Sequence, residues 1–462
     1  MQIGKKTALE ELGASISNIT EHIDQYKKRP EYFTRNRKLG IKNFIMTTLG
    51  MGGNTLNAEL FEAYPDINKR MTASAYEQAK GKVTPKLFYD LLMDYNKTAP
   101  QKLFRGKYRL YAIDGSSCVS NWNPESEYVV NTYRDKNNKP KKPFCQVHAN
   151  LAFNLMTRQY VDCILQPRSS LDERSAALQM IKKFPNDKPF IVVMDRGYES
   201  FNLIETMNRI ENCYYVIRVR INGQNAIKEV ASLLDKQCDR DVVFHMTTSH
   251  AKYLNGRKGG IIYHKINKPK KQYKETISPN TNRTKWDFED DCDIKCRAVK
   301  LNINDPMDSD DDSDKEEWEV LFTNLPRFEF PSANLKELYH LRWDIETSFR
   351  QLKYNIGVTH FHSCKDEFIE MEIYAHLVMF NAVARNICAV NVPKKDTCKH
   401  PYAVDFKMAC MITRRYFRKH CVCSPEDIYT ELLKYLSPIR SGRHDKRNLR
   451  VKSAVPFVFR VA

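Results

Sequence analysis

The chain has 462 residues and carries 74 Lys and Arg against 56 Asp and Glu, a formal net charge of +18. An excess of that size is typical of a protein that meets a polyanion. No run of 18 apolar residues occurs, so no membrane span is expected, and the opening MQIGKKTALEELG lacks the apolar core of a secretory signal. A cytoplasmic protein is the expectation. Its 13 cysteines follow no framework, which suits reduced thiols. Neither Cys292 and Cys296 nor the group from Cys398 to Cys423 shows the paired CxxC spacing of a zinc site.

In chain order, residues 1–104 read as helical and basic. MTASAYEQAKGKVTPKLFYDLLMDY predicts a helix from about Ser74 to Lys82, a short turn, and a second helix from about Pro85. Thr72 suits an N-cap and Pro85 a first helical turn. A helix–turn–helix on a basic segment suits DNA docking, and a plain helical hairpin would read the same way.

Residues 105–220 change to an α/β pattern. Strands are expected at 108–113, 146–155 and 158–166, a helix at 171–184, a strand ending at Asp195, a helix near 199–210 and a strand at 213–219. Three strands, helix, strand, helix, strand is the order of a ribonuclease-H-like fold. Phe190–Met194 is a short continuous apolar run, the mark of a strand buried on both faces. Ligands of open α/β sheets bind outside the carboxyl ends of strands. Asp114 and Asp195 each follow such a strand. Each alone would equally suit a loop or helix cap.

Residues 221–325 alternate like β-strands in HMTTSH, GGIIYHKI, CDIKCRAVKLNI and EWEVLFTNL. They read as a β-rich insertion, with a basic turn-rich stretch (KINKPKKQYKETISPNTNRTK) and an acidic exposed loop (DPMDSDDDSDKEE). Residues 326–392 return to the α/β core and hold YHLRWDIETSFRQLK. On one α-helix, Tyr339, Arg342, Glu346 and Lys353 would fall within roughly a 60° arc, beside an apolar stripe of Leu338, Leu341, Ile345, Phe349 and Leu352. Such a rim presents an acid beside two cations and suits a phosphodiester. A long apolar helix follows, and residues 393–462 form a basic carboxyl-terminal region.

Asp114, Asp195 and Glu346, in that order on a basic chain with an insertion before the Glu, resemble the bacterial DDE transposases. The narrower resemblance is to the insertion-sequence-four family. Its signature of Tyr, two residues, Arg, three residues, Glu, six residues, Lys stands complete as Tyr339, Arg342, Glu346 and Lys353. Asp195, Arg196, Gly197 and Tyr198 match the family's second-Asp region, and Gly115 and Ser116 the small pair after the first Asp. The resemblance covers roughly residues 40–390.

It implies a ribonuclease-H-like catalytic core with a β-rich insertion, flanked by a helical DNA-binding region and a helical carboxyl-terminal region. It implies an enzyme that binds terminal inverted repeats, cleaves transposon ends and joins 3′ ends to target DNA. Asp114, Asp195 and Glu346 would hold two Mg²⁺ ions, with Mn²⁺ as substitute, about 4 Å apart. Hard oxygen donors select those ions. Tyr339, Arg342, Lys353 and Arg196 would contact DNA phosphates, and a homodimer would form in the synaptic complex. Well-studied relatives cleave through a hairpin with a flipped base. Trp286 is the candidate platform, with Trp318 and Trp343 as others, although all three equally suit ordinary packing. The alternatives are a ribonuclease-H-like nuclease without strand transfer and a transposase-derived DNA-binding protein without catalysis. A small-molecule phosphotransferase is disfavoured by the charge and by the lack of a Gly-rich phosphate loop.

Overall fold

A computed structural model describes residues 6–35, 39–131, 142–221, 227–233, 236–266, 286–302, 318–393, 400–418 and 424–439. The acidic loop, nearly all of the basic turn-rich stretch and the basic tail lie outside the described residues. Five helices come first: α1 (Ala8–Glu21), α2 (Ile41–Gly50), α3 (Leu56–Ala63), α4 (Ala73–Lys80) and α5 (Lys86–Lys97). The expected cap on α4 is present, for the Thr72 side chain accepts a hydrogen bond from the Ala75 N–H. Pro85 sits one residue ahead of α5, in the cap position.

The α/β part follows in the expected order: β1 (Arg109–Ser120), the short β2 (Val129–Val130), β3 (Phe144–Asn154), β4 (Gln159–Pro167), α6 (Glu173–Ile181), β5 (Phe190–Met194), α7 (Phe201–Arg209) and β6 (Cys213–Val219). Then come α8 (Lys228–Ala231), β7 (Cys238–Thr247), α9 (His250–Gly259), β8 (Tyr263–Lys265), β9 (Asp291–Asn302) and β10 (Trp318–Thr323). The strands from residues 221–325 build no sheet of their own. One ten-stranded sheet runs β2-β3-β1-β5-β6-β10-β9-β7-β8, with β4 also on β3, and β10 pairs antiparallel with β6. The core sheet's free edge strand is thereby covered by more sheet.

The sheet has two apolar faces. Leu110 and Ala112 point into one core, and Tyr111 and Ile113 into the other, as strand alternation requires. The second core holds α6 and α7. The first is built on α12 (Asp366–Ala389), which follows α10 (Ser332–His340) and α11 (Trp343–Gln351). This 24-residue helix is buried almost all round and packs against α1, α2 and α5 and against α13 (Phe406–Phe417) and α14 (Pro425–Leu432). A pair of short strands, β11 (Tyr402–Val404) and β12 (Leu436–Pro438), closes the far end.

Two buried polar groups on α12, Asn381 and Arg385, are satisfied across the interface. Asn381 accepts from the Tyr160 N–H at 2.8 Å and donates back to its carbonyl at 2.8 Å. Arg385 donates to the Tyr95 carbonyl at 2.7 Å and to Glu11 at 3.1 Å. The amino-terminal helices are thus tied to the sheet through α12 in one continuous core. Among the described residues no helix is long and apolar enough to cross a membrane.

Candidate active site

β1 and β5 are parallel neighbours in the register Arg109↔Phe190 through Ile113↔Met194. Asp114 and Asp195 therefore follow at one level. β5 ends there because Asp195 caps a 3₁₀ turn, its Oδ1 accepting the Gly197 N–H at 2.8 Å. β1 does not end at Ile113. It runs on to Ser120, paired with β3 alone, so Asp114 stands where β1 loses one neighbour rather than at a strand terminus. Its Oδ1 accepts the Gly115 N–H at 2.8 Å, and its Oδ2 lies 3.6 Å from Arg342 Nη1.

The signature segment is not one regular helix. α10 stops at His340, and a tight turn follows in which the Arg342 N–H bonds to the Tyr339 carbonyl and the Asp344 N–H to the Leu341 carbonyl. α11 then places Glu346 in its first turn. Past Gln351 the backbone widens into a π-turn, Leu352–Ile356, which ends at Gly357 with φ of 103°. π-turns of this kind are often found at functional sites. Lys353 lies in it and donates to the Ser117 carbonyl at 3.0 Å, so the chain's second half grips β1 just beyond Asp114.

Arg342 is buried, with its Nη2 2.7 Å from Glu346 Oε1 and its Nη1 3.6 Å from Asp114 Oδ2. It lies 5.5 Å over the Tyr339 ring, whose buried hydroxyl has no hydrogen-bond partner among the described residues. In this state Arg342 meets carboxylates and Tyr339 lies in the core. Arg196 is exposed beside Asp195. Burial, then the charge of Asp195, pushes the Asp114 carboxyl up to about 7; Glu346 adds to this, while the Gly115 N–H and Arg342 oppose it. The three acids therefore share one field.

Among the described residues no three His, Cys, Asp or Glu side chains form a group that could hold a metal ion. Arg342 stands between Asp114 and Glu346. The donor chemistry nonetheless suits a hard divalent cation, because carboxylate oxygens are hard donors and the charge of a cation would relieve the buried Asp114 carboxyl, which burial and Asp195 push up. Asp114, Asp195 and Glu346 are the residues that could hold it, once Glu346 turns from Arg342.

Trp286 belongs to the packing around α7. It packs at the edge of the α7 core, its indole N–H donates to the Glu289 carbonyl at 2.7 Å, and its ring meets Phe288 at 5.1 Å. Trp318 opens β10 with Lys300 5.1 Å over its ring, and Trp343 is exposed on α11, three residues before Glu346.

Tyr198 of the second-Asp motif and two residues outside any motif, His148 and Glu173, also gather here. Tyr198 is buried, and its hydroxyl has no hydrogen-bond partner among the described residues. Burial first, then the charges of Asp114, Glu173 and Asp195, raise its pKa. On β3, His148 pairs with Ser117 and reaches Glu173. The available signal was a His and an Asn inside Phe144–Asn154, a strand buried along nearly its whole length.

No curated protein sequence matches the chain. Among solved structures, the cryo-EM structure of a piggyBac transposase synaptic complex with hairpin DNA aligns with a TM-score of 0.45 at 8% identity, covering 98% of this chain and 91% of that chain. The family model described as the transposase DDE domain matches residues 105–382, the span that holds all three acids, and the chain belongs to that family.

Proposed function

We propose that this DDE transposase binds the terminal inverted repeats of a mobile element, cleaves its ends by metal-dependent hydrolysis and joins the 3′ ends to target DNA. The observation that carries the reading is the approach of Asp114, Asp195 and Glu346, from distant parts of the chain, to one electrostatic field where β5 ends beside β1. Membership in the family makes this an enzyme of phosphodiester chemistry on DNA. The strand and helix order from β1 to β6 supports a ribonuclease-H-like core, and the spacing of Tyr339, Arg342, Glu346 and Lys353 supports the insertion-sequence-four branch.

Divalent metal, Mg²⁺ or Mn²⁺, would supply an activated nucleophile and charge for the leaving oxygen. This chain's own groups do the rest. Asp114 and Asp195 are fixed by the amides that each accepts. Glu346 would leave its Arg342 partner to help hold the metal, and the freed guanidinium would meet a phosphate, for which its fork is suited. Lys353 and Arg196 flank the acids as further phosphate contacts. A homodimer would bring two ends together. The +18 charge supports a DNA partner at several phosphates.

The test is incubation of the protein with DNA carrying the flanking repeats and a target plasmid, with Mg²⁺, followed by mapping of cut and joined products. Joined ends support the reading. Cut ends that never join leave a nuclease, and binding without cutting leaves an inactive derivative. A covalently closed end among the products marks a hairpin route.

A further inference from the structure

The first turn of α6 reaches the backbone behind both aspartates. Its position is fixed by polar contacts. Asp172 caps the helix by accepting the Ser175 N–H at 2.9 Å, and the Asp172 N–H donates to Gln166 Oε1 at 3.2 Å. The same oxygen accepts from Asn150, which is wholly buried on β3, at 3.0 Å. From this anchored turn two consecutive side chains extend. Arg174 Nε donates to the Gly197 carbonyl at 2.9 Å, and the Gly197 N–H holds Asp195 Oδ1. Glu173 Oε1 lies 2.9 Å from His148 Nε2, a close contact rather than an aligned hydrogen bond, and His148 Nδ1 lies 3.0 Å from Ser117 Oγ.

The His148–Glu173 pair presses on the backbone just past Asp114. A β-carbon on Gly115 would fall 2.4 Å from His148 Nε2 and 2.5 Å from Glu173 Oε1. By strand alternation this contact is on the α6 and α7 face, opposite the face towards which Leu110 and Ala112 point. The two acids are thus approached from behind by neighbouring residues of one helical turn. His148 is buried and Glu173 and Arg174 are half-buried, so their ionic contacts are a weak source of stability. Their fixed geometry suits a different task, holding reacting groups in place.

We propose that Glu173, Arg174 and His148 are positioning residues, a brace that sets the spacing of Asp114 and Asp195. This rests on the reading of those two aspartates as the catalytic pair. The full chain, DNA carrying the flanking repeats and Mn²⁺ provide the test. Arg174→Ala and His148→Ala should each lower the cleavage rate of the bound complex about 10- to 100-fold, the usual scale for groups that orient metal ligands. DNA affinity and thermal midpoint should stay near those of the parent. Arg174→Lys, which keeps a donor, should restore most of the rate. Titration of Mn²⁺ into the protein–DNA complex, followed by electron paramagnetic resonance, should show weaker binding in both alanine variants.

If Asp114→Asn and Asp195→Asn also leave cleavage intact, the reading of the site fails. If those two abolish cleavage while the alanine variants cleave and bind Mn²⁺ like the parent, the brace is refuted. It is equally refuted if the loss lies in DNA affinity alone. Should His148→Ala not fold, the Arg174→Ala and Arg174→Lys pair decides the matter.

Discussion

Asp114 and Asp195 leave two parallel strands at one level, directly after the partnered Ile113 and Met194, and only β5 stops there. Their carboxylates each take one neighbouring amide, and Asp114 also lies 3.6 Å from Arg342, which holds the third acid, Glu346. Asp114→Asn, Asp195→Asn and Glu346→Gln remove one negative oxygen each with little change in shape. Each should lower cleavage by roughly 10³-fold or more, the scale on which members of one catalytic unit act. DNA binding should survive, since it rests on phosphate contacts elsewhere. A variant that still cleaves at near-parent rate would take its residue out of the site.

The Asp114 carboxyl, carried from its ordinary 3.8 to about 7 by burial and by Asp195, binds its proton more tightly folded than unfolded. The sign follows. Below about pH 4 both states are protonated and there is no cost. As pH rises from there to 7 the folded acid resists ionising, and above 7 the full penalty is present, up to about 4 kcal/mol for a shift of this size. Without divalent metal, Asp114→Asn should therefore raise the thermal midpoint at pH 8 and leave it nearly unchanged at pH 4. An equal effect at both pH values would show that the shift is not expressed.

Much of this was legible in the chain. Phe190–Met194 is short, apolar and followed by Asp, which fixes both its depth and the acid's place at its carboxyl end. Thr72 announced a helix start because a hydroxyl three residues ahead of a free N–H can do little else so well. Long-range pairing was not legible. That β10 joins β6 depends on which free edge is nearest, and alternation within Trp318–Thr323 is silent about partners. The break at Leu341 and Arg342 was also hidden, since both residues keep helical angles and only the hydrogen bonds tighten. The brace was missed because Glu173 and Arg174 look like an ordinary charged first turn.

Lys80 on α4 and Glu372 on α12 form a buried ion pair, and Glu372 Oε2 also accepts the His362 N–H at 3.0 Å. Burial alone would push the Glu372 carboxyl up, but Lys80 and His362 outweigh it and hold it well below its ordinary 4.5. Its stabilising effect is thus complete above about pH 4.5 and is lost as pH falls below that. Glu372→Gln strands the Lys80 ammonium in the core and should cost about 3–5 kcal/mol at pH 7. Its deficit relative to the parent should shrink in strong acid. Urea melts at pH 7 and pH 3 would check both points, and a constant deficit would contradict the assignment.

Gly357 closes the π-turn that carries Lys353, and its φ of 103° is open to glycine far more readily than to any other residue. Its surroundings are also tight, for an added β-carbon would lie 3.1 Å from the Gly53 nitrogen and 3.2 Å from the Gly52 carbonyl carbon. Gly106, at φ of 69°, has nothing within 4 Å and serves as the control. Both alanine variants incur a left-handed backbone penalty of about 1–2 kcal/mol. Gly357→Ala should lose more than Gly106→Ala, because backbone atoms of the 52–53 loop have to move as well. It should also slow cleavage, since the Gly357 N–H bonds to the Leu352 carbonyl and any shift there moves Lys353 off the Ser117 carbonyl. Gly106→Ala should leave cleavage unchanged. Equal losses of stability in the two variants would mean that the close packing against Gly52 and Gly53 carries no weight. A Gly357→Ala protein with parent activity would separate the π-turn from the placement of Lys353.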